Sequence, residues 1–241
     1  MRNAPVLEIA DGVWIDARRA VWLEHEQTLA VADLHLGYAW AHRHAGQLLP
    51  LTAAETTVAR LTALVDHYAP RQLAILGDIV HAAVPVDALE NELRQICREF
   101  EGRLKLRLVA GNHDRALAPM LKSCGIDAEL LRSLQTGPHL LIHGDEAPGK
   151  EPQDLFEKAT EQGGGIIMGH EHPAIRVSDG ITSVKCPCFL FAPGLLVLPA
   201  FSDWAAGANV RGGKYLSPLA NAAKFRDAYA LLNGKLLAMR L

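Results

Sequence analysis

The sequence predicts an α/β fold in which helices pack on β-sheets, and three observations support this class. Short apolar runs recur through the first two thirds of the chain, and most of them end on polar residues. Two amphipathic segments with helical spacing lie between these runs. The last third changes to short strand-like runs separated by Asp-Gly, Pro-Gly and Asn-Gly turns. Alternating strands and helices with polar residues at the strand ends are typical of layered α/β proteins.

The N-terminal part is expected to contain four strands followed by a helix. The strands are separated by Asp11-Gly12 and by other polar residues, and the fourth ends on Asp33; they are Val6–Ile9, Val13–Ile15, Ala20–Leu23 and Thr28–Ala32. Thr52 and Glu55 have the spacing of a capping box, which predicts the start of a helix. An apolar stripe continues this helix to about Tyr68.

The centre of the chain repeats the pattern of a strand that ends on polar residues. Strands are predicted at Gln72–Leu76 and Lys105–Ala110, and a helix that begins near Asp87 and ends near Phe100 connects them. Two further strands are predicted at His139–Ile142 and Ile166–Met168, and a histidine follows each of them closely. The glycines at 163–165 are predicted to form a flexible segment before the second of these strands.

The last third is predicted to be a mostly β region that packs behind the α/β half. Asn233-Gly234 separates Tyr229–Leu232 from Lys235–Met239, and this dipeptide is a strong signal for a two-residue hairpin. Other short strands are predicted at Ile175–Val177, Thr182–Lys185, Phe189–Phe191 and Leu195–Leu198. No repeat, low-complexity tract or linker is visible in the sequence, so we expect residues 1–241 to form a single domain.

The composition excludes several classes of protein. Of the 241 residues, 49% are hydrophobic and 21% are charged, as in globular proteins with a substantial core. The net charge of −3 provides no global basic field for nucleic acid. No signal peptide and no apolar run of about 20 residues is present, so a cytoplasmic protein without a membrane span is expected. Cys186 and Cys188 are expected to be buried thiols near a strand, because no second cysteine pair accompanies them.

Five short blocks of Asp, Asn and His predict a metal-dependent catalytic site. The blocks are Asp33-Leu34-His35, Gly77-Asp78-Ile79-Val80-His81, Gly111-Asn112-His113-Asp114, His143-Gly144-Asp145 and Gly169-His170-Glu171-His172. Carboxylate and amide oxygens suit hard divalent cations, and imidazole suits borderline metals. The Asp78 carboxylate can bridge two cations, and the neutral oxygen of Asn112 limits the negative charge of the site. Two ions side by side activate water against a phosphate ester.

The order of these blocks resembles the calcineurin-like metallophosphoesterases over roughly residues 30–172. His170-Glu171-His172-Pro173-Ala174, Pro187-Cys188-Phe189 and Leu198-Pro199-Ala200-Phe201 extend the resemblance to a narrower branch, the bacterial DNA-ligase-associated metallophosphoesterases and their archaeal SbcD-related cousins. The resemblance implies a four-layer α/β/β/α sandwich of two mixed β-sheets, the metallophosphoesterase fold. It also implies two divalent metal ions, with Mn²⁺ as the favoured activator and Fe, Zn or Ni as alternatives.

The resemblance assigns a role to each site residue. Asp33, His35 and His172 would hold the first metal, Asn112, His143 and His170 the second, and Asp78 would bridge the two. His113 would lie beside the scissile phosphate and act in catalysis without binding metal. His81 stands where many relatives have an Asp that orients this histidine, so His81 is expected either to weaken His113 as a general acid or to hold a hydrogen bond behind the metal ligands. Asp145 receives no role.

Two hypotheses for the substrate remain open at this stage. The resemblance implies a phosphodiesterase or nuclease that acts on DNA, linked to DNA repair and functionally to a DNA ligase or helicase. The acidic balance favours the alternative, a small-molecule phosphoesterase for cyclic nucleotides or similar diesters. One group of basic residues could line a nucleic-acid face, with Trp40 to stack on a base, or could be ordinary solvated residues; the group is Arg18, Arg19, His42, Arg43 and His44. A non-catalytic binding protein is disfavoured, because it would not need the full set of ligands.

Overall fold

Two β-sheets face each other at the centre of the protein, and helices cover their outer faces. A computed structural model describes residues 5–47, 49, 53–81, 86–147, 151–205 and 207–241. The expected layered α/β architecture is confirmed by the arrangement of these residues.

The first sheet has seven strands in chain order. They are β1 (Val6–Ala10), β2 (Val13–Asp16), β3 (Ala20–Leu23), β4 (Thr28–Ala32), β5 (Gln72–Leu76), β6 (Lys105–Val109) and β7 (Leu130–Leu131). The strands from β1 to β4 pair antiparallel, and those from β4 to β7 pair parallel. The change from antiparallel to parallel pairing follows from the segments that connect the strands, because parallel neighbours need a long crossover connection. The helices in these connections are α1 (Tyr38–His44), α2 (Ala53–Tyr68), α3 (Val86–Phe100) and α4 (Leu117–Ser123).

The second sheet has nine strands and is also mixed. Its strands are β8 (Ser133–Thr136), β9 (His139–Ile142), β10 (Ile166–Met168), β11 (Pro173–Ser178), β12 (Ser183–Ala192), β13 (Leu195–Val197), β14 (Ala208–Asn209), β15 (Asp227–Leu232) and β16 (Lys235–Arg240). Within it, β9, β10 and β13 are parallel neighbours. Two helices accompany this sheet, α5 (Pro152–Glu161) and α6 (Pro218–Ala222).

Three apolar clusters correspond to the three interfaces between four layers. The central cluster joins the inner faces of the two sheets, for example Ala30 and Leu76 with Leu141 and Phe189. A second cluster packs α2, α3 and α4 on the first sheet, and a third packs α5 and α6 on the second. The α/β/β/α sandwich of two mixed sheets that the resemblance implied is therefore confirmed.

Most of the predicted elements are present, with two corrections. The strands predicted separately at Thr182–Lys185 and Phe189–Phe191 are parts of one strand, β12. Its neighbour changes at Pro187, which pairs with β11, whereas Cys188 pairs with β15. The glycines at 163–165 do not form a loose approach: Gly163 and Gly164 close the C-terminus of α5 by donating to the carbonyls of Thr160 and Ala159.

Other expectations concern single positions. The hairpin at Asn233-Gly234 is confirmed, with both residues at positive φ between β15 and β16. The helix predicted from Thr52 begins at Ala53 as α2, and Thr52 itself lies outside the described residues. Cys186 and Cys188 are free buried thiols on β12, as expected, and burial raises the pKa of Cys188 to about 12. Among the described helices, none has the length and apolar character to cross a membrane.

Candidate metal centre

The predicted site residues meet at one edge of the sandwich because parallel strands of both sheets end there. From the first sheet, Asp33, Asp78 and the segment around Asn112 follow β4, β5 and β6. From the second sheet, His143 and His170 follow β9 and β10. The carboxyl ends of parallel strands lie at the same edge, so residues distant in sequence converge there.

The backbone at this edge adopts the left-handed conformation at five site residues. The φ angles are 57° at Asp33, 48° at His35, 44° at Asp78, 68° at His170 and 43° at His172. On an extended strand, side chains two residues apart, such as those of Asp33 and His35, would point the same way; here a left-handed turn brings them together instead. Such conformations cost roughly 1–3 kcal/mol each outside glycine and occur where function requires a fixed geometry.

Hydrogen bonds between neighbouring loops hold this strained backbone. The Asp33 amide donates to the Gly77 carbonyl at 3.2 Å, and the His35 amide donates to the Asp78 carbonyl at 2.8 Å. Glycine is required where the loops touch. A Cβ at Gly77 would overlap the His143 ring, and one at Gly169 would lie 2.7 Å from Oδ2 of Asp33. The motif glycines therefore allow the two sheets to share one site.

One group of candidate ligands contains Asp33, His35, Asp78 and His172. The Nε2 atoms of His35 and His172 are 3.1 Å apart, and His172 Nε2 lies 3.6 Å from Asp33 Oδ2. Burial, with smaller contributions from neighbouring histidines, lowers the pKa of His35 to about 3. Burial opposes ionisation of Asp33, but its hydrogen bond and attraction to His172 bring its pKa below the usual value. Neutral imidazole and ionised carboxylate are the forms that bind metal.

A second group contains Asp78, His143 and His170, and Asn112 lies beside it. His143 Nε2 is 3.1 Å from Asn112 Oδ1, 3.1 Å from His170 Nδ1 and 3.4 Å from Asp78 Oδ1. Asp78 belongs to both groups, as expected for a shared ligand. The pKa of His170 is lowered, chiefly by burial and then by His143, which favours its neutral form.

The hydrogen bonding of His143 shows that this donor set fits a cation. Its Nδ1 lies 3.2 Å from the carbonyl oxygen of Leu76, which can only accept a hydrogen bond. In the neutral ring Nδ1 therefore carries the proton, and the Nε2 lone pair faces the oxygens of Asn112 and Asp78. Lone pairs that converge in this way repel one another unless a positive ion lies between them. Donation of the second ring nitrogen to a carbonyl is also the usual support of a metal-binding histidine.

His113 lies beside both groups and belongs to neither of them. Its ring Nδ1 donates to the backbone carbonyl of His81 at 2.6 Å, and its Nε2 lies 3.9 Å from Asp78 Oδ2. The chain turns after Gly111, because the Asp114 amide donates to the Gly111 carbonyl at 3.1 Å. The His113 amide donates to Asp78 Oδ1 at 3.1 Å. The His113 side chain is 40% exposed, so a substrate can reach it.

His81 supports His113 through its backbone, whereas its side chain contacts other rings. The Nδ1 atoms of His81 and His35 are 3.4 Å apart, so the His81 ring lies behind a candidate ligand. Burial, with a smaller contribution from His113, lowers the pKa of His81 to about 4. A neutral ring at this position adds no negative charge that would stabilise an imidazolium at His113.

Two carboxylates that position the site loops were missed in the sequence. Asp114 is buried and accepts hydrogen bonds from the amides of Val80 at 3.0 Å and Gly111 at 2.8 Å, which joins two of the loops. Glu171, between the two histidines of its block, is buried and accepts from the amides of Leu216 and Ser217. Only their place inside the motif blocks signalled a role. Asp145 lies outside both ligand groups.

Two of the basic residues considered for a nucleic-acid face have structural partners. Arg18 pairs with the buried carboxylate of Asp16, with Nη2 2.6 Å from Oδ2. Arg19 donates to the carbonyls of Ala200 and Ser202 and pairs with Asp203 at 3.0 Å. Both guanidinium groups are engaged in contacts within the fold. Two of the five residues considered for a nucleic-acid face are therefore occupied by structural partners.

A family model and one solved structure agree with this geometry. The family model for calcineurin-like phosphoesterases matches residues 27–203. The crystal structure of the Pseudomonas putida nuclease MPE aligns with 98% of this chain and 100% of the nuclease, with 25% identity and a TM-score of 0.69. A protein of unknown function from Aquifex aeolicus aligns over 59% of this chain and 77% of its own, with 17% identity and a TM-score of 0.35. No curated protein matches the sequence significantly.

The depressed pKa values predict that the metal-free protein loses stability as the pH falls below about 6.5. The pKa of His35 is about 3 in the folded protein and 6.5 as a free side chain, so between these values the unfolded chain binds more protons. Lowering the pH from 7.5 to 5.0 should cost about 2 kcal/mol of unfolding free energy from His35 alone. His81 and His170 act in the same direction, and His172, whose pKa is raised, opposes them.

Urea unfolding in the presence of a chelator at the two pH values measures this dependence. His35→Asn should reduce the pH dependence by about 2 kcal/mol, which corresponds to the proton that the unfolded chain gains. His44→Asn is the matched control, because that imidazole is exposed. An unchanged pH dependence in His35→Asn would show that His35 is not held neutral by burial.

Proposed function

The chain belongs to the calcineurin-like phosphoesterase family, and from this premise we propose that it is a binuclear metal-dependent phosphodiesterase that cleaves DNA. The observation that carries the proposal is the pair of ligand groups that share Asp78. When bound, two divalent cations supply a lowered water pKa and neutralise charge on the phosphoryl oxygens. Asp33, His35 and His172 would hold one cation, Asn112, His143 and His170 the other, and Asp78 both.

In this proposal, the residues around the ligands fix the reacting groups. The His113 ring is held at Nδ1 by the His81 carbonyl, and its Nε2 faces the side of Asp78. Because Nδ1 donates to the His81 carbonyl, Nε2 carries a proton only in the imidazolium form of His113. A substrate phosphate seated beside Asp78 would place its leaving oxygen within reach of the Nε2–H of that form. His113 would then stabilise the developing charge or protonate the leaving oxygen.

The choice of DNA rests on similarity. The alignment with the Pseudomonas putida nuclease covers nearly the whole of both chains, and the motif blocks resemble the DNA-ligase-associated branch. We therefore extend the proposal to Mn²⁺ as the activating metal, with Fe, Zn or Ni as alternatives, and to DNA repair in the cytoplasm alongside a DNA ligase or helicase. A single domain over residues 1–241 is part of the same proposal.

A second candidate function is favoured by the charges. The net charge is −3, and Arg18 and Arg19 are engaged in structural contacts, which leaves fewer cations for a DNA backbone. A small diester such as a cyclic nucleotide needs no extended basic surface. Both candidates require the same chemistry at the metal centre, so they differ in the substrate alone.

The shared position of Asp78 predicts two metals in the wild-type protein and fewer in Asp78→Ala. After saturation with Mn²⁺, elemental analysis should give about two ions per chain. Asp78→Ala should lose at least one ion, because the substitution removes a ligand of both groups. Asp145→Ala, which removes a carboxylate near His143 but outside both groups, should retain the wild-type content. One tightly bound ion in wild type and Asp78→Ala alike contradicts the binuclear assignment.

The proposed activity predicts that diesters are hydrolysed more efficiently than monoesters. The motif blocks resemble those of nuclease-like relatives, and the neutral His81 ring adds no negative charge that would strengthen His113 as the general acid. Protein reconstituted with Mn²⁺ should show a higher kcat/KM for bis-nitrophenyl phosphate than for nitrophenyl phosphate. A clear preference for the monoester contradicts the phosphodiesterase proposal.

The same preparation separates the two substrate hypotheses. Single-stranded DNA, double-stranded DNA and cyclic nucleotides should be compared at equal metal concentration. Cleavage of either DNA with higher efficiency than the cyclic nucleotides supports the nuclease. Efficient hydrolysis of cyclic nucleotides without DNA cleavage supports the small-molecule phosphoesterase.

The position of His113 predicts a loss of turnover without a loss of metal in His113→Asn. Because the ring acts on the leaving oxygen, kcat should fall by about 10²–10⁴-fold, the range for a lost acid or base. Metal content should stay at the wild-type value, because His113 belongs to neither ligand group. A variant that loses metal would make His113 a ligand, and a variant with unchanged kcat would leave it without a catalytic role.

A further inference from the structure

A set of aromatic rings lies next to the metal centre on the side of His35. Tyr38 and His42, one turn apart on α1, stack with ring centroids 4.2 Å apart and an interplanar angle of 29°. Tyr38 also lies 4.5 Å from the His81 ring and is nearly parallel to Trp204, at 6.1 Å and 10°. We call Tyr38, His42, His81 and Trp204 the ring platform.

The ring platform is continuous with the groups that would contact the scissile phosphate. The His81 ring lies 5.8 Å from the His113 ring at an interplanar angle of 16°, so the two face each other. His81 also meets His35 edge to face at 5.3 Å. A group attached to a phosphate at the metal centre is therefore within reach of the platform.

Polar anchors rather than the apolar core fix the platform. Carboxylate oxygens of Glu92 accept from the Gly37 amide at 2.8 Å and from the Trp40 indole at 3.2 Å, which holds the start of α1. On the other side, the Asp203 carboxylate beside Trp204 pairs with Arg60 at 3.0 Å, and also with Arg19. The rings are thus held in place before any ligand arrives, which reduces the entropy lost on binding.

The platform differs from the aromatic pair that supports the fold. Trp22 and Tyr68 also stack, at 5.1 Å, but they pack against the apolar cluster under α2 and α3. Tyr38 and Trp204 are half-buried and pack against none of the three apolar clusters of the described residues. In the part of the chain that the structure describes, no hydrogen bond engages the Tyr38 hydroxyl or the Trp204 indole N–H.

We propose that the ring platform binds an unpaired nucleobase next to the scissile phosphate, so that the substrate is a single-stranded nucleic acid. The proposal rests on the proposed phosphodiesterase function. Aromatic side chains stack on any base, because every base has a π-face, and they need no hydrogen-bond code. In a duplex both faces of a base are covered by its neighbours, so only an unstacked base can lie on the platform. The net charge of −3 agrees with binding in which stacking supplements few phosphate contacts.

The test compares two ligands with the same backbone charge, so that any difference in affinity comes from the bases. One is a phosphorothioate-linked oligothymidine, which resists hydrolysis, and the other is its abasic counterpart of equal length. Isothermal titration of the Mn²⁺-loaded protein should give a dissociation constant about 5- to 100-fold lower for the oligothymidine. Tyr38→Leu and Trp204→Leu should each bring the ratio of the two dissociation constants, abasic ligand to oligothymidine, toward one.

Two variants control for effects on folding. Tyr38→Phe keeps the ring without the hydroxyl and should retain the ratio, and Trp14→Leu removes a tryptophan from β2, outside the platform. A ratio near one in the wild-type protein, no binding of either ligand, or an unchanged ratio in both platform variants overturns the proposal. Failure of the phosphodiesterase proposal is seen separately, since a protein that hydrolyses no diester can still show base-dependent binding. If the protein hydrolyses diesters but binds both ligands equally well, the proposal for the ring platform is wrong and the phosphodiesterase proposal stands.

Discussion

The close contact between the loop at Gly77-Asp78 and loops from both sheets is the constraint on which the rest of the structure depends. The Gly77 carbonyl accepts from the Asp33 amide within the first sheet, and the absence of a side chain at Gly77 makes room for the His143 ring of the second sheet. Asp78 can therefore belong to both ligand groups. The left-handed backbone at Asp33, His35 and Asp78 is strained, and the hydrogen bonds between the loops hold it in place.

The balance of charge explains why the site needs cations. Asp33 and Asp78 are buried carboxylates, whereas burial lowers the pKa of His35 and of His170 and so favours their neutral forms. Buried negative charge without compensation is costly in a medium of low dielectric constant. Two divalent cations would offset it and leave an excess of positive charge for a phosphate. Asn112 would support this balance in the proposed centre, because its amide oxygen would bind a cation without adding negative charge.

The sequence predicts the parts of the structure that depend on local pattern. Buried apolar runs such as Thr28–Ala32 and Ile166–Met168 are strands because their composition allows little else, and the polar residues after them mark the site edge. The parts that depend on distant partners were not predictable. Nothing near Arg19 shows that it holds the carbonyls around Phe201, and nothing near Pro187 shows that β12 changes its neighbour there. The left-handed turn at Asp33 likewise follows from contacts with Gly77, which the local sequence does not contain.

The partners of Arg19 connect the fold to the ring platform. As part of a basic surface, Arg19 would have contacted phosphates directly; instead it fixes the segment that leads to Trp204. The Phe201 and Ser202 amides in this segment donate to the carbonyls of Ala32 and Asp33, so one segment touches both the strand end of the metal centre and the ring platform. The distance between metal centre and platform is therefore set by backbone hydrogen bonds. A rigid spacing of this kind suits a ligand whose phosphate and base are joined by a single sugar, because both can then bind without rearrangement of the protein.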